Sequence, residues 1–207
     1  MQTPFSDIKH VVSLLTTAET PEQQRDAVNT YFAEDVEFRH PLVKISSNHL
    51  SREDLLAIYQ SYRILSPHIE IDITNVVYDN RTNTLYLDIT QLFHIRFSPF
   101  KPVPAHFVTR LKLIKKNKKF LIASQEDFYQ PDEFIALILP PLMPLMRYAL
   151  TAGGYITAFS AKMAQVMGYW RPTAEPSKEK QASEDSQDSE DTHIGSDDGH
   201  QTKRLEK

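Results

Sequence analysis

The 207-residue chain contains no cysteine, five glycines and one tryptophan. Without cysteine there is neither a disulfide framework nor a thiolate metal site, which fits a reducing compartment. Five glycines leave no Gly-rich loop to cradle phosphates, and the eight histidines show no HExxH or comparable ligand spacing, so no metal or other cofactor is expected. The N-terminal stretch MQTPFSDIKHVVSLL lacks the basic start, long apolar run and small-residue cleavage site of a signal peptide, and it is read as mature structure. Basic excess is missing too. Residues 171–207 hold ten acidic residues and six Lys or Arg, which leaves 17 of each sign in residues 1–170. A neutral body of this kind argues against nucleic acid as a partner, because phosphate contacts demand a basic face.

The pattern that is present has two periods. Phe5, Ile8, Val11, Val12 and Leu15 recur at helical spacing, and TPEQQ opens a second helix with Thr20 as cap, Pro21 at the first position and Gln23 completing a capping box. DVEFRHPLV alternates Val36, Phe38 and His40 against Glu37 and Arg39, a strand interrupted at Pro41. SREDLLAIYQSYRIL starts a third helix with Ser51 as cap and sets Leu55, Ile58, Tyr59, Tyr62 and Leu65 on one stripe. From His68 the period becomes two. Ile69, Ile71 and Ile73, then Leu85, Leu87, Ile89 and Phe93, alternate with polar residues around the turn residues 79–83, and a further hairpin turns near Lys116 and Asn117. Helices followed by a four-strand antiparallel meander with one apolar face make an α+β layout of about one domain.

This order of elements, with FAEDVEFRHPL after the second helix and FLIASQEDFYQ in the last strand, resembles the nuclear transport factor two-like superfamily over residues 5–132, and most closely its fungal SigF-like branch. That superfamily includes ketosteroid isomerases, SnoaL-like polyketide cyclases and many non-catalytic members. The resemblance implies a cone-shaped α+β domain: N-terminal helices packed on a curved antiparallel sheet around an apolar cavity. It also implies a site, since cyclase members carry a catalytic aspartate near the end of the last strand, where this chain has Asp127. The chain departs from the pattern at His40, where many members have an acidic residue before the proline, and it lacks a clear isomerase-type tyrosine and aspartate pair.

Asp127 is the candidate general base, because a carboxylate in an apolar cone has a raised pKa and exchanges protons near neutral pH. Strand parity puts it on one face with Leu121, Ala123, Gln125 and Tyr129. The competing reading makes Asp127 a cap or a surface ion-pair partner. His40 shares the inward parity of Val36 and Phe38 and is the second catalytic candidate, against a purely structural histidine. Tyr59, Tyr62 and Gln125 are the ligand-binding candidates, the tyrosines against a role as core residues. His94 and Asp88 belong to the outer face of their strand. Lys112, Lys115, Lys116, Lys118 and Lys119 around the last hairpin read as a solvated tip, with anionic lipid headgroups as the alternative.

Beyond the last strand, residues 134–170 contain no acid and two charges, Arg147 and Lys162. A membrane span takes about 20 apolar residues, whereas these charges bracket only the fourteen residues 148–161, and Pro140, Pro141 and Pro144 break the segment. Two helical pieces joined at PPLMP are expected. The pair docks on its own domain or on a second copy, closes the mouth of the cone, or sits in one leaflet. In the last case Leu142, Leu145, Met146, Tyr155, Ile156, Phe159 and Trp170 contact the membrane. Residues 171–207 read as a disordered acidic tail whose serines could accept phosphate.

The domains expected are therefore a cone at 1–132, an apolar helical segment at 133–170 and the tail. The function expected is non-catalytic or weakly catalytic binding of a small apolar ligand, lipid-like or polyketide-like, by a membrane-associated cone. The location expected is the cytosolic face of an internal membrane, endoplasmic reticulum or lipid droplet, with a soluble cytoplasmic protein as the alternative. Two rival functions stay open: a cofactor-independent cyclase or isomerase using Asp127, and a homodimerising interaction module. An inward Asp127 facing polar partners across an enclosed cavity favours the enzyme, and an entirely apolar cavity favours binding.

Overall fold

The computed structural model describes residues 1–170; the acidic tail, with the disorder and phosphate-accepting serines expected of it, lies outside the described residues. The chain divides into two compact units, Met1–Gly154 and Tyr155–Lys207. The first unit reaches past the expected boundary at residue 132, because the helix that follows the sheet buries part of its apolar face there.

Helix α1 (Pro4–Thr16) buries Ile8, Val11 and Leu15, whereas Phe5, at the edge of that stripe, is 57% exposed. Helix α2 (Pro21–Tyr31) is capped by Thr20, whose side chain accepts from the Gln23 amide at 3.2 Å; Gln23 Oε1 accepts in return from Glu19 N at 3.0 Å, one residue outside the standard box. Helix α3 (Ser51–Leu65) does not use Ser51 as its cap. Leu50 holds that position, and Asn48 makes the turn instead, its Oδ1 accepting from Leu50 N at 2.7 Å. Asparagine bonds its own following backbone readily, which displaces the serine one place into the helix.

Six strands form one curved, unclosed sheet in the order β2-β1-β6-β5-β4-β3. Strands β3 (Ile69–Asp79), β4 (Thr84–Phe93), β5 (Ala105–Lys116) and β6 (Lys119–Tyr129) are the antiparallel meander. Strand β1 (Phe32–Arg39) adds to β6 in parallel, with Phe38 opposite Gln125, and β2 (Lys44–Ile45) pairs antiparallel with β1. Phe32, Val36 and Phe38 from β1 join Leu55 of α3, Leu85 and Leu87 of β4 and Ile122 of β6 in a core closed to solvent. Each such side chain contributes roughly 1.5–3 kcal/mol by leaving water.

No glycine precedes Gly153. The meander therefore makes its left-handed turn positions from other residues: Asn83 (φ 51°) ends the β3–β4 turn, and Asn117 (φ 51°) with Lys118 (φ 63°) forms the two-residue β5–β6 turn. Two consecutive positive φ values match the twist of the flanking strands. Asparagine tolerates the conformation; lysine adopts it at a cost.

Strand β6 departs from simple alternation. Lys112 pairs with Ser124 and Leu113 with Ile122, so Ala123 is an extra residue in the ladder. This bulge reverses the parity below it. Gln125, Asp127 and Tyr129 share the inner face as expected, but Ile122 replaces Leu121 and Ala123 there.

After β6 come α4 (Pro131–Ile138), a 3-10 turn (Pro140–Leu142) and α5 (Met143–Val166), the two helical pieces broken at the prolines. Ala136 of α4 is fully buried, while no residue of α5 is. Leu145, Tyr148, Tyr155, Ile156, Phe159 and Val166, each more than 60% exposed, fall on one helical stripe of α5, as does the less exposed Met163. Met146, expected with that group, is half-buried and lies off the stripe. Leu142 and Trp170, outside the helix, are exposed. Among the described residues no helix is long and apolar enough to cross a membrane.

Candidate functional site

A chamber of about 270 Å³ lies within the first unit, walled by α1, α3, α4 and the inner face of the sheet. Most of its wall is hydrocarbon, from Val11, Leu87, Ile89, Phe93, Ile122 and Leu137 among others. The polar groups gather around Asp127.

Asp127 stands opposite Thr109 in the β5–β6 ladder, and the Thr109 hydroxyl donates to Asp127 Oδ1 at 2.7 Å. Gln125 Nε2 donates to both carboxylate oxygens at 3.2 and 3.3 Å, while Gln125 Oε1 accepts from the Tyr59 hydroxyl at 2.8 Å. Burial pushes the Asp127 carboxyl up to about 6, against the smaller downward pull of the Thr109 and Gln125 hydrogen bonds. It is therefore mostly ionised at pH 7, with its protonated form close at hand.

His40 immediately follows β1, where the chain turns back toward β2 through reciprocal backbone bonds between His40 and Val43. Its Nδ1 accepts from Leu42 N at 3.3 Å, which leaves the ring proton of the neutral form on Nε2. The ring stacks on Phe38 and meets Tyr62, Tyr129 and Phe134 at centroid distances of 6.0, 5.4 and 6.0 Å. Burial among these rings lowers its pKa to about 4, so it is a neutral hydrogen-bond donor at pH 7 and holds no proton to hand over as an acid.

Tyr62 contributes a hydroxyl that is closed to solvent and has no hydrogen-bond partner among the described residues. Desolvation first, and the Asp127 charge second, raise its pKa and that of Tyr129, so both stay protonated. The Tyr129 ring stacks on Phe107 with centroids 4.4 Å apart. Phe134, from α4, packs edge-on against His40 and Tyr129 and brings Leu137 and Ile138 into the wall.

All five residues singled out in the sequence for chemistry or ligand contact, Asp127, His40, Tyr59, Tyr62 and Gln125, line this one chamber. Thr109 was missed. Its signal was available: Phe107, Thr109 and Leu111 alternate inward on β5, and a buried threonine within an apolar row asks for a partner across the ladder. Asp88 and His106 are joined instead on the other side of the sheet, Nε2 to Oδ1 at 2.9 Å. Among the described residues no group of three His, Asp or Glu could hold a metal ion.

The sequence profile of the SigF NTF2-like domain matches residues 1–169. No curated protein matches the chain. Similar solved structures include a protein with a ketosteroid isomerase-like fold from Catenulispora acidiphila, in complex with trimethylamine, at 18% identity over 61% of this chain and 89% of that one, with a TM-score of 0.46. An LEH-like epoxide hydrolase from M. tuberculosis is 12% identical over 70% of this chain and 99% of that one, with a TM-score of 0.47. An NTF2-like protein of unknown function from Burkholderia pseudomallei is 14% identical over 63% and 96%, also with a TM-score of 0.47. Identities this low leave ligand and chemistry to be argued from this chain's own residues.

Proposed function

Because the chain belongs to the SigF NTF2-like domain family, within the nuclear transport factor two-like superfamily, we propose that its chamber binds a small, mostly apolar molecule with a single polar group directed at Asp127. The observation that carries this is a buried carboxylate at the polar end of a chamber walled mostly by hydrocarbon. Burying a carboxylate is costly, and Thr109, Gln125 and Tyr59 are all committed to holding it in place. An apolar pocket with a few convergent polar groups is the usual form of a small-molecule site. A cavity of about 150 Å³ accommodates benzene, so about 270 Å³ suits a molecule of roughly two fused rings. Native mass spectrometry of the full chain tests the reading. The expected result is a small-molecule mass that is lost on denaturation and is missing from Ile89→Phe, which narrows the chamber; equal native and denatured masses in both proteins count against it.

The ionisation of Asp127 favours a second reading, proton transfer. The carboxylate takes a proton from the carbon next to a ligand carbonyl, and the C–H electron pair becomes the C=C of an enolate. The proton then returns to another carbon, or the deprotonated carbon bonds to a second carbonyl carbon of the same molecule, whose C=O electron pair moves to oxygen and takes the proton back from Asp127. No cofactor is required. Positioned general bases contribute about 10²–10⁴-fold, so exchange of the α-protons of 2-tetralone in D2O should slow by that order in Asp127→Asn. Equal exchange in the two proteins counts against it.

The same proposal rests α5 in the surface of a membrane. Its stripe of large apolar side chains is exposed, its opposite face is small or polar, and it carries cations without acids. The location proposed with it is the cytosolic face of an internal membrane, and the soluble cytoplasm is the alternative. A second copy covering the stripe is the remaining reading, consistent with a homodimer.

A further inference from the structure

Asp127 is a desolvated carboxylate without a cation. Burial is the main cause of its raised pKa, yet the residue keeps some accessible surface, and that surface faces the chamber. Oδ1 accepts from the Thr109 hydroxyl at 2.7 Å and from Gln125 Nε2 at 3.2 Å, whereas Oδ2 receives only the longer arm of Gln125 at 3.3 Å. A carboxylate offers about four acceptor positions, so Oδ2 has capacity left. Among the described residues no Lys, Arg or His forms an ion pair with it. Arg63, also on the chamber wall, donates Nη1 to Pro67 O at 2.9 Å, and no positive charge is among the causes that set the Asp127 pKa. His40 is neutral at pH 7. Around the carboxylate the wall is aromatic. Tyr129, two residues along on the same face of β6, stacks on Phe107 with centroids 4.4 Å apart, and Phe134 and His40 meet its ring at 5.8 and 5.4 Å. Desolvation first and the Asp127 charge second raise the pKa values of Tyr59, Tyr62 and Tyr129, so all three rings lie within reach of its field.

We infer that the molecule bound in the chamber is a hydrophobic amine, its ammonium group set against Asp127 Oδ2 among these aromatic rings. This rests on the ligand-binding reading above and names the chemical class it takes. An ammonium supplies both the missing charge and an N–H for Oδ2, and charge-assisted hydrogen bonds of that kind are the strong ones. Ring faces within about 6 Å attract the same group. Folding has already stripped water from the carboxylate, so only the desolvation of the ligand opposes the pair. A hard metal ion does not suit the site, because such ions take about six oxygen ligands and among the described residues no group of three His, Asp or Glu could hold one. A ligand carboxylate or phosphate would meet an unscreened like charge in an apolar enclosure. A plain hydrocarbon would fill the chamber and leave the carboxylate unpaired. An ammonium also keeps Asp127 ionised and occupies its free oxygen, which sides with binding over proton transfer.

The test compares 2-aminotetralin, a cation at pH 7, with tetralin, which has the same two rings and no charge, and with the neutral alcohol 2-tetralol, on the full chain and on Asp127→Asn. The expected result in the parent chain is a Kd for 2-aminotetralin about tenfold or more below that for either neutral probe. In Asp127→Asn that preference should fall toward unity while tetralin binds both proteins alike, which also shows that the variant folds. A second measurement needs no variant. The carboxyl ¹³C titration of Asp127 in the parent chain should move below about 6 when 2-aminotetralin saturates the chamber and should not move down with tetralin, since only an ammonium favours the charged carboxylate. Equal affinity for charged and neutral probes in the parent chain, a preference unchanged in Asp127→Asn, or a titration that the amine leaves in place overturns this inference and leaves the binding reading standing. Binding of none of the three probes up to its solubility limit overturns both.

Discussion

Thr109 and Asp127 face each other directly across the β5–β6 ladder, and the threonine hydroxyl donates to the carboxylate at 2.7 Å. The bond favours the charged form and opposes the desolvation that raises the Asp127 pKa to about 6. Thr109→Val removes it without changing the side-chain shape. The carboxyl ¹³C titration of Asp127 is expected to move above about 6; an unchanged or lower midpoint would show that the hydroxyl does not tune this group.

Asp127 and His40 give opposite pH dependences of stability over nearly the same range. The folded pKa of Asp127 is raised from 3.8 to about 6, so ionisation begins first in the unfolded chain and stability falls as pH rises from about 4 to 6. The folded pKa of His40 is lowered from 6.5 to about 4, so the unfolded chain gains a proton first and stability falls as pH drops from about 6.5 to 4. In the parent chain the two largely offset each other. Denaturant unfolding of Asp127→Asn is expected to show stability rising between pH 4 and 6.5 relative to the parent, and His40→Phe the reverse trend. Each difference should amount to about 1–3 kcal/mol across the range, reduced by the access both groups have to the chamber. Parallel profiles for all three proteins would contradict the assignment.

Lys118 occupies the second left-handed position of the β5–β6 turn at φ 63°. A left-handed lysine costs about 1–2 kcal/mol, of which glycine avoids most while losing about 0.5–1 kcal/mol to its freer unfolded chain. Lys118→Gly should therefore raise the unfolding free energy by up to about 1 kcal/mol. A loss of stability would mean that the lysine side chain holds the turn by other contacts.

The α5 stripe makes a prediction separate from the chamber. Full-length protein should float with vesicles of phosphatidylcholine and phosphatidylserine, and Ile156→Glu with Phe159→Glu should release it. If the protein stays at the bottom of the gradient and elutes as a dimer that the same substitutions split, the stripe covers a second copy instead.

The fold was legible where one physical signal dominated. Period-two alternation from Ile69 onward marked the meander, and Pro140 and Pro141 marked the break before α5, with Pro144 in its first turn. It was not legible where local rules compete. Asn48 made the turn that displaced Ser51 from the cap position assigned to it, the parallel pairing of β1 with β6 has no signature in either strand, and the Ala123 bulge reversed the parity assigned to Leu121. Parity did bring Gln125, Asp127 and Tyr129 to the inner face, because they lie on one side of that bulge. Thr109 and Phe134 escaped notice for another reason: each matters through what the folded chain brings against it, Asp127 in one case and His40 in the other.

The central claim, that the chamber takes up a small apolar molecule beside Asp127, is tested most directly by methyl NMR of the full chain titrated with tetralin and with 2-tetralone. Saturable shifts confined to chamber residues such as Leu87, Ile89 and Ile122 are predicted, with Val28, in the core but off the chamber wall, unmoved. Shifts that do not saturate, or none at all up to the solubility of both probes, would contradict it.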